Sequence, residues 1–403
     1  MNLQTGIIVA MAGVLLIGVY LFLHFKKLPF IVCFQKKKWI TYLLAAVLTI
    51  LCIIGAVNIF SFRFVIVFFL FQMYLLTDLI NFILCKCIKK DKIIKGWKKV
   101  YCGGILCFAL TAIYIFAGYL NSINIKTTTY EIYSDKLPKG ETLSITVIAD
   151  LHFGTTLNEE KLKTYCQQIS DNKVDVVLLV GDIVDHNTTQ EEIVEAFQVL
   201  GSIQSTYGTY YVYGNHDLSL YYRETSMTKN DFNRYITDAG ITILEDTSLL
   251  VNDKVYVIGR ADIGYSGYTG YSNRADLSDL TKNLEEEKFW ILMDHQPKEI
   301  SKAKDCGVDL MISGHTHGGQ LWPVGFFSEL FGIDEMTYGE KVIDNFHAVV
   351  TSGIGGWGYP IRTGSRSEIV YITVIGDKNQ KNTEEDIAII GGADGPTSIF
   401  IAK

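Results

Sequence analysis

The chain has 403 residues, room for two or three domains, with 49% hydrophobic and only 20% charged residues and a mean hydropathy of +0.21. That average conceals two unlike halves: residues 1–126 hold 14 Lys and Arg against two acids, Asp78 and Asp91, and since the whole chain carries −7 the remainder carries −19. So acidic a second half argues against nucleic acid as a partner. Six of the eight cysteines lie in the hydrophobic half and no CxxC spacing occurs in the other, which argues against a disulfide framework.

Residues 1–120 read as four transmembrane helices. Leu3–Leu23, Trp39–Phe62, Phe64–Cys85 and Val100–Leu120 are nearly uncharged and each long enough to cross a bilayer, which takes about 20 apolar residues. The first lacks a basic n-region and its charges follow it, so a retained helix is favoured over a cleaved signal peptide. Lys26, Lys27 and Lys36–Lys38 lie between helices one and two, and Lys86, Lys89, Lys90, Lys92, Lys95, Lys98 and Lys99 between helices three and four. Both clusters fall on one face of a four-pass bundle, so that face is cytoplasmic and everything after helix four is extracytoplasmic. The expected setting is a multi-pass protein of the cell membrane with the bilayer as partner. Asp78, inside helix three with Asn81 about one turn on, is either a functional intramembrane acid or an interhelical hydrogen-bonding group.

A polar, extended linker is expected over residues 121–140, and a second domain over 141–377. Strands are predicted at Leu143–Ala149, Val174–Val180, Thr209–Tyr213, Val255–Gly259, Phe289–Met293, Val308–Ile312, Ala348–Ser352 and Glu368–Ile375. Helices are predicted at Asn158–Ser170, Gln190–Gly201, Lys229–Ala239, Leu277–Glu286 and Pro297–Cys306. That alternation describes a layered α/β domain. Residues 378–403 are a charged linker and a short apolar tail in which Asp394-Gly395-Pro396 reads as a turn between two apolar runs.

Chemistry sits at the strand ends. Asp150-Leu151-His152 follows the first strand, Gly181-Asp182-Ile183-Val184-Asp185 the second, and Gly214-Asn215-His216-Asp217 the third. His295 follows Phe289–Met293, and Gly314-His315-Thr316-His317-Gly318-Gly319 follows Val308–Ile312. The carboxyl ends of sheet strands are where α/β folds build sites. Asp150, His152, Asp182, Asn215, His295, His315 and His317 offer carboxylates, imidazoles and one amide but no thiolate, which suits Mn, Fe, Zn, Co or Ni. Seven such groups are too many for one ion and fit two divalent cations per chain, with one carboxylate shared. Alone, Asp-x-His, Gly-Asp or a single His is common, Gly-Asn-His-Asp is more specific and Gly-His-x-His-Gly-Gly more so still; all five in order at strand ends are rare.

This ordered set resembles the calcineurin-like metallophosphoesterase superfamily, over about residues 143–376. Gly318-Gly319-Gln320 and His295-Gln296-Pro297 are similar to its membrane-associated bacterial phosphodiesterase branch. The resemblance implies a four-layer αββα sandwich. It implies one cation held by Asp150, His152, Asp182 and His317, and a second by Asp182, Asn215, His295 and His315, with Asp182 bridging. His216 would face substrate as the catalytic acid, oriented by Asp217, with Asp185 behind the ligands. Arg362, in Trp357-Gly358-Tyr359-Pro360-Ile361-Arg362, is a candidate to meet a substrate phosphate.

The substrate expected is a phosphate ester at the membrane, with a lipid-linked phosphodiester leading. The loop Leu321–Gly332, rich in Trp, Phe and Leu, is suited to dipping into a bilayer, lining an acyl pocket or packing on the domain. Tyr265–Tyr271 is a candidate cleft lining. Two alternatives are an extracytoplasmic phosphomonoesterase or protein phosphatase, separable by diester against monoester turnover, and a non-catalytic membrane sensor, excluded by metal-dependent hydrolysis of any activated ester.

Overall fold

The computed structural model describes residues 3–58, 61–88, 91–219, 227–264 and 274–377, and falls into two units, Met1–Tyr119 and Leu120–Lys403. The Tyr265–Tyr271 loop and the tail after residue 377 lie outside the described residues.

The first unit is helical: α1 (Leu3–Phe25), α2 (Pro29–Val32), α3 (Lys38–Ala56), α4 (Phe62–Cys87), α5 (Asp91–Gly103) and α6 (Ile105–Ile123), the last running on into the second unit. Helices α3, α4 and α6, of 19, 26 and 19 residues, are long and apolar enough to cross a membrane. They turn Leu43, Ile50, Ile54, Phe82 and Phe116 outward, as lipid-facing helices do. The span expected from Val100 begins instead at Ile105. Gly104, at φ 66°, separates it from α5, a short basic helix carrying Lys92, Lys95, Lys98 and Lys99. A left-handed residue ends a helix, and glycine adopts that conformation without a Cβ clash. Asp78 belongs to a polar network: it accepts hydrogen bonds from the hydroxyls of Tyr20 (2.6 Å) and Tyr101 (2.7 Å) and lies 3.2 Å from His24 Nε2. Asn81 accepts from the Trp97 indole at 3.1 Å.

The second unit holds twelve strands among the described residues: β1 (Lys126–Ser134), β2 (Thr142–Ile148), β3 (Val176–Val180), β4 (Thr209–Val212), β5 (Thr242–Ile243), β6 (Thr247–Leu250), β7 (Val255–Gly259), β8 (Phe289–Met293), β9 (Leu310–Ser313), β10 (Gly339–Ile343), β11 (Phe346–Val350) and β12 (Glu368–Gly376). They form two six-stranded mixed sheets, ordered β1-β12-β2-β3-β4-β5 and β10-β11-β9-β8-β7-β6. The expected linker is therefore largely a strand, with β1 pairing parallel to β12 from Lys126↔Glu368 to Ser134↔Gly376. Its Thr- and Tyr-rich sequence looks polar because an edge strand hides only part of one face, and Ile132 is its one buried residue.

Apolar side chains of β2, β3, β7, β8 and β9 meet between the sheets, among them Ile145, Val147, Leu178, Val257, Ile291 and Ile312. The other face of the first sheet packs on the helices Glu159–Asp171 (α7), Gln190–Gly201 (α8) and Lys229–Asp238 (α10) through Leu162, Phe197 and Phe232. The second sheet packs on Leu277–Thr281 (α11) and Ile300–Asp305 (α12) through Leu277, Ile300 and Ala303. A capping box, Thr189 with Glu192, starts α8, and Thr228 with Asp231 does the same for α10. Helix α11 stops five residues earlier than its pattern suggested, short of Glu285–Glu287, whose charges oppose a helix C-terminus. Two short helices were not anticipated, Asn215–Ser219 (α9) and Val324–Leu330 (α13).

Candidate metal centre

Because β2, β3, β4, β8 and β9 run parallel within their sheets, their carboxyl ends deliver all five motifs to one edge. Asp150, His152 and His317 converge there, as do Asp182, His295 and His315, the ligand atoms of each trio lying within 4.8 Å of one another. Asp182 stands between the trios: its Oδ2 is 3.1 Å from His295 Nε2 and 3.9 Å from His152 Nε2. Asn215 joins the second trio, its Oδ1 2.8 Å from His315 Nδ1.

The backbone is strained where these groups sit. Asp150, Asp182, His152, His315 and His317 all have φ between 41° and 71°, a region L-residues enter at a cost of about 1–3 kcal/mol each. Such strain persists only where the surroundings enforce it, here by a mesh of side-chain-to-backbone bonds. The His315 amide donates to both Asp150 oxygens (2.9 and 3.1 Å) and the His216 amide to Asp182 Oδ1 (2.7 Å). Glycine is required beside the carboxylates, since a Cβ on Gly214 would lie 2.1 Å from Asp182 Oδ1 and one on Gly314 2.4 Å from Asp150 Oδ2.

The donors suit cations. His295 Nδ1 lies 2.8 Å from the Val180 carbonyl, which only accepts, so Nδ1 carries a proton and Nε2 faces Asp182 Oδ2 at 3.1 Å. That is how a metal-binding imidazole is oriented from behind. The Nε2 atoms of His152 and His317 face each other at 3.2 Å, a spacing a shared cation relieves. Asp185 lies behind His152, 3.4 Å from its Nδ1. Charge is concentrated without solvent: burial pushes Asp150 up to about 6, and it pulls His315 down to about 4. Burial works against a proton on His295 too, but Asp182 and Asp150 overcome it and raise that pKa well above the usual range. Asp182 is likewise opposed by burial, yet His295 and its neighbours hold it well below. The positive charge that settles this pocket is one a divalent ion supplies.

The family model for calcineurin-like phosphoesterases matches residues 143–319. An uncharacterized metallophosphoesterase of Campylobacter jejuni is 30% identical over 316 residues, covering 77% of this chain and 79% of its own. The chain belongs to the calcineurin-like phosphoesterase family. An uncharacterized metallophosphoesterase of Helicobacter pylori (strain J99) is 32% identical over 256 residues, or 62% of this chain and 63% of the relative. A Danio rerio transmembrane protein with a metallophosphoesterase domain is 28% identical, with 67% of this chain and 62% of the relative aligned. The chain thus spans a little under two thirds of the length of these last two relatives.

Two expectations are corrected. Arg362 does not face an open cleft. It is fully buried, and its guanidinium donates to the carbonyls of His317 (3.1 Å), Gly353 (3.4 Å) and Gly355 and to Ser365 Oγ (3.0 Å), with Nη2 3.2 Å from His317 Nδ1. It braces His317 from behind. Asp217, also fully buried, accepts the backbone N–H groups of Asp182 (2.7 Å), Gly214 (2.9 Å) and Val184 (3.1 Å), so it clamps two ligand turns together rather than orienting His216.

His216 stands at the centre's rim, half-buried, its ring 5.0 Å from that of His152 and 5.2 Å from Trp357. Burial lowers its pKa, favouring the neutral imidazole. His186, unassigned from sequence, stacks on His216 at 6.5 Å. Its position just after Asp185 was the only signal. Gln320 holds the Trp357 loop, donating to the carbonyls of Trp357 (3.0 Å) and Tyr359 (3.3 Å) and accepting from the Trp357 amide (3.1 Å).

Proposed function

We propose that the protein is a membrane-anchored, two-cation phosphoesterase that hydrolyses phosphodiesters or phosphomonoesters at the membrane, with a lipid-linked ester as substrate. The observation that carries this reading is the pair of His/Asp trios at one sheet edge, with Asp182 of the second 3.9 Å from His152 of the first. Asp150, His152, Asp182 and His317 are assigned to one ion and Asp182, Asn215, His295 and His315 to the other. Divalent ions so held lower the pKa of a nucleophilic water and neutralise phosphoryl charge. The chain's own residues do the rest. In this reading His216, at the rim and outside both trios, gives a proton to the departing oxygen, its burial-lowered pKa making it a ready donor once protonated; Asp185 fixes the His152 ring, and Asp217 and Arg362 hold the ligand turns rigid.

The domain adopts a four-layer αββα sandwich in this reading, and α1 is the fourth span beside α3, α4 and α6. The lysines flanking α1, α3, α4 and α6 support a cell-membrane topology with the catalytic domain extracytoplasmic.

The test uses the purified full chain, loaded with Mn²⁺ or Zn²⁺. Bound ions are counted by mass spectrometry, turnover of a nitrophenyl diester and monoester is compared, and a fractionated membrane lipid extract is searched for phosphate-ester products. Two ions per chain, ion-dependent turnover and a lipid-derived product are expected. Fewer than two ions at saturation, or no turnover of either ester, rejects the enzymatic reading.

A further inference from the structure

Helix α13 is built inside out. Its buried residue is Ser328, 8% exposed, while Phe326 and Leu330 are 63% and 61% exposed. The apolar surface continues on both sides, through Trp322 at 56% and Phe331 at 71%. Phe327 and Phe331 stack at 5.9 Å and 12°, so the outer face is a preformed ridge. Ser328 points inward, and both polar side chains of the helix are bonded to the domain. Ser328 donates to Asp334, whose other oxygen lies 3.3 Å from Lys298 Nζ, and Glu329 accepts the Thr337 amide at 2.7 Å. A helix facing water has the reverse arrangement.

This ridge is tied to the metal centre. It follows His317 directly in sequence, and Gly319 and Gly325 touch so closely that a Cβ on Gly319 would lie 2.5 Å from Gly325. The occupant is named by the rest of the chain. Helix α6, apolar enough to cross a membrane, ends at Ile123, and β1 starts at Lys126. Three residue steps extend no more than about 11 Å, so a bilayer is the domain's constant neighbour. A tryptophan at the edge of a phenylalanine ridge suits the boundary between headgroups and acyl chains.

We infer that Trp322–Ile333 is a bilayer-docking element whose ridge, led by Phe326, Leu330 and Phe331, seats among acyl chains and holds the metal centre at the lipid surface. Docking stands on the ridge and the tether alone; that it presents a lipid phosphoester for hydrolysis rests on the function proposed above.

The test again uses the full chain, now in nanodiscs of phosphatidylethanolamine and phosphatidylglycerol, with p-benzoylphenylalanine replacing Phe326. The control replaces exposed Tyr207, which precedes β4 at the strand end opposite the ligands. Irradiation is expected to give a lipid adduct by mass at position 326 and none at 207. No lipid adduct at 326, equal adducts at both positions, or a crosslinked protein dimer in place of lipid overturns the inference. A second arm measures the F326S/F331S variant. Its turnover of a water-soluble nitrophenyl ester is expected within twofold of wild type, while its turnover of a long-chain phospholipid in the disc falls at least tenfold. Equal loss on both esters overturns the docking role. A wild type that forms the adduct but turns over neither ester refutes the hydrolase reading and leaves docking standing.

Discussion

Asp217 offers the sharpest test of how the centre is held. Its carboxylate is fully buried and accepts three amides, those of Asp182 and Gly214 on Oδ2 and that of Val184 on Oδ1. Replacing it with alanine orphans three buried N–H groups at about 1–3 kcal/mol each. The low end, about 3 kcal/mol, is expected, because burial already works against the charge and pushes this carboxyl up to about 7. An asparagine can keep its oxygen on the two-amide side and turns its NH2 toward Val184 alone, so D217N should cost about a third as much. For a domain of this size 1 kcal/mol moves the unfolding midpoint by about 2–4 °C. Scanning fluorimetry of the detergent-purified, cation-loaded protein should therefore show D217A about 6–12 °C below wild type and D217N about 2–4 °C below. If both variants unfold within about 1 °C of wild type yet lose turnover, the clamp is wrong and Asp217 acts through His216.

The remaining predictions concern ions, protons and the brace. D182A should bind one divalent ion or none where wild type binds two, by mass spectrometry of ion content; retention of both would remove Asp182 from the bridging position. H216A should keep both ions and lose about 10²–10⁴-fold in turnover of an ester with a poor leaving group, with a smaller loss on a nitrophenyl ester. In the ion-free protein His295 holds its proton well above the usual range and Asp150 holds one below about 6, and both must leave before a cation enters. Ion affinity should thus rise with pH, and calorimetry in buffers of different ionisation enthalpy should register more protons released at pH 6 than at pH 8; an affinity flat between those values contradicts the assignment. Finally, R362M takes the guanidinium donor from the Gly355 carbonyl, while those of His317 and Gly353 keep the Gln320 and Glu368 amides, and should lower both the unfolding midpoint and the ion count. R362K should restore little, since a single ammonium cannot span that fan of acceptors; wild-type ion content in R362M would return Arg362 to a passive core role.

The residues of the centre were legible because their signal is local. An apolar run followed by Asp, Asn or His and a glycine marks a strand end bearing a ligand. Parallel strands necessarily bring such ends to one edge, as β2, β3, β4, β8 and β9 do. Strands β7 and β8 have the predicted bounds because their apolar runs are uninterrupted and every residue but Tyr256 is buried. Strand β1 was hidden, since its pairing partner lies far along the chain and its own face is mostly polar.

The sequence by itself determined the strands and helices that carry the motifs, the apolar basic and acidic halves, and which side chains offer metal-binding chemistry, because periodicity, charge and residue type are properties of a segment alone. Only the tertiary structure decided what each polar group meets. It turned Arg362 inward onto His317, 45 residues away, and set the Asp217 carboxylate on the Asp182 and Val184 amides, 35 and 33 residues away. It also faced α13 outward. A buried guanidinium or carboxylate goes wherever donors and acceptors can satisfy it, and those are fixed by packing between segments rather than by the pattern within one.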